Sequence, residues 1–218
     1  MGTLAFLLDI FTETLISLRW ESTQKVVVDN VGLGWLVLVL YSLFFMLIAS
    51  LITVYIGPGS TGSGVAETMG ILNGVKAPDF ISIKNLVVKF FGVGLAVSAG
   101  LAAGKEGPLI HMGTIVGQAV PYIPLPFARY FRNDFEKRKL MAVGIASGVS
   151  AAFGAPIGGS LFAYELSKPN TFWSFSLTWK VFFASTISAF FLSVFKQIYD
   201  GSLPIVVSNK EIIKLGVT

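Results

Sequence analysis

The sequence contains no cysteine and a single histidine, His111, which excludes several kinds of chemistry. Without cysteine the chain forms no disulfide and offers no thiolate to a metal ion. Cysteine usage therefore does not indicate whether the protein resides in an oxidising or a reducing compartment. One histidine cannot build a metal site, and no nucleophile–base pair can be assembled for covalent catalysis. We therefore expect no metal, no organic cofactor and no enzyme activity, and we interpret His111 as a structural hydrogen-bonding residue.

Charged residues are also scarce, at 13% of the 218 residues, whereas hydrophobic residues make up 54%. A soluble domain carries roughly 25% charged residues. Residues 30–66 and 140–164 contain no charged residue at all. Because each run exceeds the roughly 20 residues that cross a bilayer core as a helix, the sequence predicts a multi-pass integral membrane protein that contacts the lipid bilayer.

The net charge of +4 comes with a distribution that argues against a nucleic-acid partner. The densest basic cluster lies between two apolar blocks and includes two acidic residues: Arg129, Arg132, Asp134, Glu136, Lys137, Arg138 and Lys139. This arrangement is typical of a cytoplasmic loop that obeys the positive-inside rule. A contact with lipid headgroups is the alternative.

Apolar runs alternate with short segments that glycine and proline interrupt, which predicts an all-α protein of long helices and short broken helices. The predicted helices are 33–56, 65–72, 85–103, 109–120, 139–152, 157–165 and 172–198. Residues 1–16 are interpreted as the last turns of a membrane helix, and the residues from 200 onward as a loop. Broken helices whose N-termini converge within the membrane are one way in which transporters build ion sites.

The segment Gly104-Lys105-Glu106-Gly107-Pro108 places a carboxylate between two glycines at the end of an uncharged run. Helix N-termini attract anions through unpaired N–H groups and the helix dipole. A glutamate there can occupy the place of the anion and vacate it on protonation or on swinging outward. This segment therefore predicts a gate.

A second segment, Gly62-Ser63-Gly64, precedes the short helix predicted at 65–72. Its glycines leave backbone N–H groups accessible, and the Ser63 hydroxyl adds a donor. Taken alone, the pattern is that of an ordinary helix cap with a turn. Pairs of small residues four positions apart, such as Gly113 with Gly117, indicate close helix packing in lipid.

In their order and spacing these motifs resemble the CLC family of chloride channels and chloride/proton antiporters. The matching segments are GSGVAE at 62–67, GKEGP at 104–108, GVSAAFGAPIGG at 148–159 and FAYE at 162–165. The resemblance implies a CLC-type transmembrane domain over residues 1–218, formed of long tilted and short broken helices as one of two inverted repeats. The GxFxP segment of the second repeat does not occur. We therefore expect the second repeat and any cytoplasmic regulatory domain to be absent from this chain.

The resemblance also implies roles for individual residues. Ser63, with the neighbouring amides of Gly62 and Gly64, would coordinate chloride as the transported ligand, with serine favouring chloride over nitrate. Glu106 would be the gate that competes with the anion. Three further positions would serve the anion through positive potential or close backbone approach: Gly104, Lys105 and Gly107.

One departure from the family pattern bears on function. In proton-coupled members a second glutamate follows the residue that matches Glu165, and here Leu166 occupies that position. The resemblance therefore favours a gated chloride channel subunit, with a chloride/proton antiporter as the alternative and a non-conducting assembly subunit as another. It also implies a homodimer that uses residues 157–164 and 177–192, although ordinary packing within one protomer explains single residues there equally well.

Overall fold

The computed structural model describes residues 1–28, 30–124, 131–168 and 173–200, and within these ranges the chain forms eight α-helices and no strand. The helices are α1 (Gly2–Val27), α2 (Val31–Leu51), α3 (Val65–Leu72), α4 (Ile83–Ser98), α5 (Glu106–Ala119), α6 (Asp134–Phe153), α7 (Pro156–Ser167) and α8 (Phe175–Asp200). α2 continues through one wide π-type turn, Ile52–Ile56. The predicted all-α class and the alternation of long and short helices are confirmed.

In the described part of the chain, two helices are long and apolar enough to cross a membrane: α2 with its wide turn (Val31–Ile56) and α8 (Phe175–Tyr199). Four leucines at helical spacing form an exposed stripe along α2, with 48–61% of each side chain accessible: Leu36, Leu40, Leu43 and Leu47. The opposite face of α2 buries Phe45 and Ala49 against Leu95 and Ala99 around the end of α4. This split suits a helix with lipid on one side and protein on the other.

α6 lies at the centre of the bundle and packs against α5, α7 and α8. Gly113 of α5 and Gly144 of α6 face each other so closely that a Cβ on either would overlap the carbonyl oxygen of the other. Gly148 meets the carbonyl of Leu109 in the same way. The prediction that these small residues allow close helix packing is confirmed.

α1 is longer than predicted, because it extends to Val27 as one 26-residue helix rather than ending near residue 16. Glu13 and Glu21 are exposed, and the helix continues past both. Leu8 is fully buried among residues of α5, α6 and α8. α1 is therefore part of the core bundle.

The prediction that the basic cluster forms a loop is wrong for residues 134–139, because α6 begins at Asp134. Asp134 and Glu136 lie in its first turn, where acidic side chains stabilise the helix dipole. Each also pairs with a lysine three residues on, Lys137 at 3.5 Å and Lys139 at 2.7 Å. Arg129, the start predicted at 172 and the tail after 200 lie outside the described residues.

α4 ends at Ser98, five residues before the predicted end, because Gly100 takes a left-handed conformation (φ +87°). The N–H of Gly100 donates to Val97 O and that of Leu101 to Ala96 O, which is the Schellman arrangement of a helix C-terminus. α5 in turn begins at Glu106, earlier than predicted. The residue expected in the turn is therefore the first residue of a helix.

Candidate functional site

The α2–α3 loop, residues 57–64, turns back over the start of α5. Gly62 and Gly64 have positive φ angles of 67° and 84°, which favour glycine because other residues are strained there. Ser63 lies between them, and its hydroxyl accepts a hydrogen bond from the Val65 N–H at 3.4 Å. The glycines of this motif are therefore needed for the backbone shape that presents Ser63.

Two positions on one face of α5 receive the α2–α3 loop. Gly107 and His111 are four residues apart and so lie above one another on the helix. A Cβ on Gly107 would lie 2.8 Å from Ser63 Cβ, and a Cβ on Gly64 would lie 2.8 Å from His111 Cβ. Only glycine at positions 64 and 107 allows these contacts, which bring Ser63 against the first turn of α5.

Glu106 is the first residue of α5 and is half-buried. Its side chain folds back over Gly104, where a Cβ would overlap the Glu106 carboxylate oxygen Oε2. The positive end of the helix dipole favours a carboxylate at this place. The structure thus gathers the predicted gate and the predicted serine at the start of one helix, with Gly107 between them.

Lys105 forms an ion pair with Asp9 of α1 through Oδ1, and the other carboxylate oxygen lies 2.7 Å from Lys196 Nζ of α8. The Asp9 side chain is only 10% exposed. One buried carboxylate therefore balances two lysines beside the predicted gate. The motif gave no sign of Asp9, which lies 96 positions earlier in the chain.

His111 is fully buried between the α2–α3 loop and Phe80. Its Nε2 donates to the Phe80 carbonyl at 3.0 Å, and its ring stacks on the Phe80 ring with centroids 3.7 Å apart. The prediction of a structural hydrogen-bonding histidine is confirmed. The sequence did not reveal that this histidine supports Gly64.

Lys89 of α4 is a site residue that the sequence interpretation missed. It is 2% exposed, and its Nζ donates to the carbonyl oxygens of Ser60 at 2.8 Å and Gly62 at 2.6 Å. The signal was present, because Lys89 is the one charged residue between 85 and 104. A charge within an apolar helix of a membrane protein is by default a candidate for a functional role.

A cleft of about 600 Å³ lies beside these residues, bounded by α2, α4 and the α2–α3 loop. Ser63, Gly62, Lys89, Gly104 and Pro108 all line it. The structure therefore joins segments that are about forty residues apart in the sequence into one polar-edged cavity.

Leu166 lies elsewhere, in the hydrophobic core that α3, α6, α7 and α8 share. Its side chain is buried, and its backbone carbonyl accepts a hydrogen bond from Asn73 Nδ2 at 3.4 Å. Ile71 and Leu72 belong to the same core. The position is apolar as well as uncharged.

Similar proteins were found among families, curated sequences and solved structures. The family described as voltage gated chloride channel matches residues 45–217. The mouse protein named H(+)/Cl(-) exchange transporter 7 is 40% identical over a 218-residue alignment covering 93% of this chain and 26% of that protein. Chloride channel protein D of Dictyostelium discoideum is 37% identical over 210 residues, covering 93% of this chain and 21% of that protein. The chain thus spans about a quarter of the length of these curated relatives.

Two solved structures have the same fold. A eukaryotic CLC transporter superposes with a TM-score of 0.76 at 22% identity, over 95% of this chain and 37% of that one. A slow cyanobacterial Cl-/H+ antiporter superposes with a TM-score of 0.72 at 26% identity, over 88% of this chain and 43% of that one. Since the family match covers most of the chain and the fold agrees, this chain belongs to the CLC family of voltage-gated chloride channels and is an integral membrane protein.

Proposed function

We propose that the chain is part of a chloride/proton exchange transporter in which Ser63 and adjacent amides bind chloride and Glu106 alternates with the anion. The observation that carries this proposal is the contact between Ser63 and Gly107 beside the Glu106 carboxylate. An anion in the cleft would meet unpaired N–H groups and the positive end of the α5 dipole. Such neutral donors bind an anion well enough to dehydrate it and weakly enough to release it.

We prefer exchange over a gated channel because similar proteins are named as exchangers. The mouse relative is named an H(+)/Cl(-) exchange transporter, and the cyanobacterial structure is described as a Cl-/H+ antiporter. Their names reverse the order of the two hypotheses from the sequence, in which the channel came first. In an exchanger the Glu106 carboxylate would leave the anion's place on taking up a proton, and chloride would enter as it leaves.

A gated chloride channel is the second candidate, and Leu166 is the observation that favours it. An exchanger needs a group that receives protons from the side opposite the gate. Leu166, which is buried in an apolar core, cannot bind a proton. In a channel, Glu106 would move aside without coupled proton transfer.

The deciding experiment reconstitutes the full-length protein in liposomes and measures the reversal potential of the chloride current under a transmembrane pH gradient. An exchanger gives a reversal potential displaced by the pH gradient, and Glu106→Ala returns it to the chloride equilibrium value. A reversal potential fixed at the chloride value in the wild type contradicts exchange and supports the channel. Glu165→Ala is the matched control, because Glu165 is exposed and, among the described residues, its carboxylate pairs with Lys168 alone, at 3.4 Å.

We also propose that the chain supplies the first of two inverted repeats and that the protein is a homodimer. Large apolar side chains on the outer faces of α7 and α8 support a partner surface, with Leu161 61% and Phe183 69% exposed. Gly159 does not belong to that surface, because a Cβ there would meet the backbone of α6 within the same chain. Cross-linking of Leu161→Cys in membranes tests the dimer, and within residues 1–218 the introduced thiol has no competing cysteine.

A further inference from the structure

Lys89 is a buried ammonium group with no carboxylate in ion-pair distance among the described residues. It is 2% exposed, and the acceptors that the structure gives it are the carbonyl oxygens of Ser60 and Gly62. Removing a charge from water without an opposite charge is costly unless hydrogen bonds compensate. The two short bonds to the α2–α3 loop supply that compensation, so the lysine and the loop depend on each other.

The bond to Gly62 fixes the direction of the next amide. In a trans peptide the C=O and the following N–H point in opposite directions, and none of the described peptides is cis. Because the Gly62 carbonyl points at Lys89 Nζ, the Ser63 N–H points away from Lys89. Among the described residues this N–H has no hydrogen-bond partner, whereas the Thr61 N–H, which follows the other held carbonyl, donates to Pro58 O.

Apart from the contact of Ser63 with Gly107 and the bond from the Val65 N–H to its hydroxyl, no interaction among the described residues holds this peptide. Gly62 and Gly64 flank Ser63, and glycine backbone rotates more freely than that of any other residue. A Cβ on Gly62 would meet no atom within 4 Å, so no packing restrains that side. A rotated Gly62–Ser63 peptide would present its carbonyl oxygen to an anion in place of its N–H.

We infer that Lys89 is a positioning residue: by holding the carbonyl oxygens of Ser60 and Gly62, it directs the free Ser63 N–H toward the bound anion. The inference rests on the proposed function, because it assumes that the cleft binds chloride. It assigns the role of Lys89 to the hydrogen bonds it donates, and a role through charge alone is the competing explanation. The two explanations differ in how they treat different anions, since a remote charge acts alike on all monovalent anions but a directed N–H does not.

The test is anion binding to the full-length protein in detergent, measured by isothermal titration calorimetry with chloride and with nitrate. Lys89→Met is expected to weaken chloride binding by about tenfold and to change the ratio of the two dissociation constants by at least about threefold. Lys89→Gln, which is polar but one atom too short to hold both carbonyls, is expected to do the same and serves if the methionine variant does not fold. Lys84→Met is the matched control, because Lys84 is exposed on the first turn of the same helix.

Each other outcome overturns the inference in a recognisable way. Weaker binding of both anions by the same factor assigns the effect to charge and contradicts the positioning role. Unchanged binding in Lys89→Met, or an equal loss in Lys84→Met, contradicts it as well. If the wild-type protein binds no chloride, the proposed function fails first, and the inference falls with it.

Discussion

Glycine serves two different purposes in the α5–α6 interface and in the α2–α3 loop. In the interface, Gly113 and Gly144 are ordinary helical residues, and there is no room for a Cβ on either. In the loop, Gly62 has open space around it but a positive φ that other residues adopt only with strain. The first use brings two backbones into contact, and the second shapes a loop that lines a cavity. The comparison teaches that a glycine motif acquires meaning from its dihedral angles and neighbours, which composition does not reveal.

The strongest test of this comparison is to fill the interface. Gly144→Val is expected to destabilise the protein by more than the usual ~1–3 kcal/mol of overpacking, because the added atoms meet helix backbone that cannot move aside. Thermal unfolding in detergent and the yield of monodisperse protein measure the effect. Gly70→Ala is the control, because a Cβ there meets Val75 at an ordinary 3.7 Å. An equal loss in both variants would contradict the special role of the interface.

A smaller and more specific effect is expected where the loop meets α5. Gly107→Ala places a Cβ 2.8 Å from Ser63 Cβ, so the loop shifts away from the first turn of the helix. We expect chloride affinity to fall by about tenfold, or ~1.4 kcal/mol, while the unfolding temperature changes little because the loop is at the edge of the cleft. Titration calorimetry and thermal unfolding on the same sample distinguish the effect on chloride affinity from the effect on stability. A large loss of stability with unchanged affinity would make Gly107 an interface glycine like Gly144.

The smallest effect is expected from Asp9, which touches neither glycine region directly. Asp9→Asn leaves Lys105 and Lys196 without their shared carboxylate and removes a negative charge beside the predicted gate. Because both lysines are partly exposed, we expect a stability loss of only about 1 kcal/mol and a two- to threefold gain in chloride affinity, on the order of 0.5 kcal/mol. Glu13→Gln on the exposed side of the same helix is the control. A loss of affinity in Asp9→Asn would mean that the ion pairs act by holding Lys105 in place.

The sequence predicted best what depends on neighbouring residues. The helical span to Ile56 and the break before Pro156 follow from apolar runs and from proline, and both appear in the structure. Predicted boundaries were wrong where charged residues lie inside helices, as in α1 and at the start of α6, and where a left-handed glycine follows the helix end, as in α4. An apolar run ends at the first charged residue, but a helix does not, because it tolerates charges on its exposed face or in its first turn.

The candidate site was predictable only in part. Ser63 and Glu106 lie in glycine-containing motifs that can be found in the sequence alone. The structure brings both residues to the start of α5. Lys89, His111 and Asp9 act through partners at least 27 positions away, and the partners of Lys89 and His111 are backbone carbonyls, which every residue possesses. A single sequence carries no record of such contacts, although the isolation of Lys89 among uncharged residues was a usable signal.

Lys89 also has a consequence for how the protein is made. A lysine near the middle of a helix costs roughly 2.5–3.5 kcal/mol when the insertion machinery moves that helix into lipid, and α4 has only 16 residues to offset it. The carbonyls of Ser60 and Gly62 that accept its hydrogen bonds precede it by 29 and 27 residues, so they have already been synthesised when α4 emerges from the ribosome. α2, long and apolar enough to enter the membrane unaided, would insert first and carry these acceptors with it. Membrane insertion of α4 thus becomes a docking event onto an earlier segment, and the order of synthesis matches the order in which the hydrogen bonds are needed.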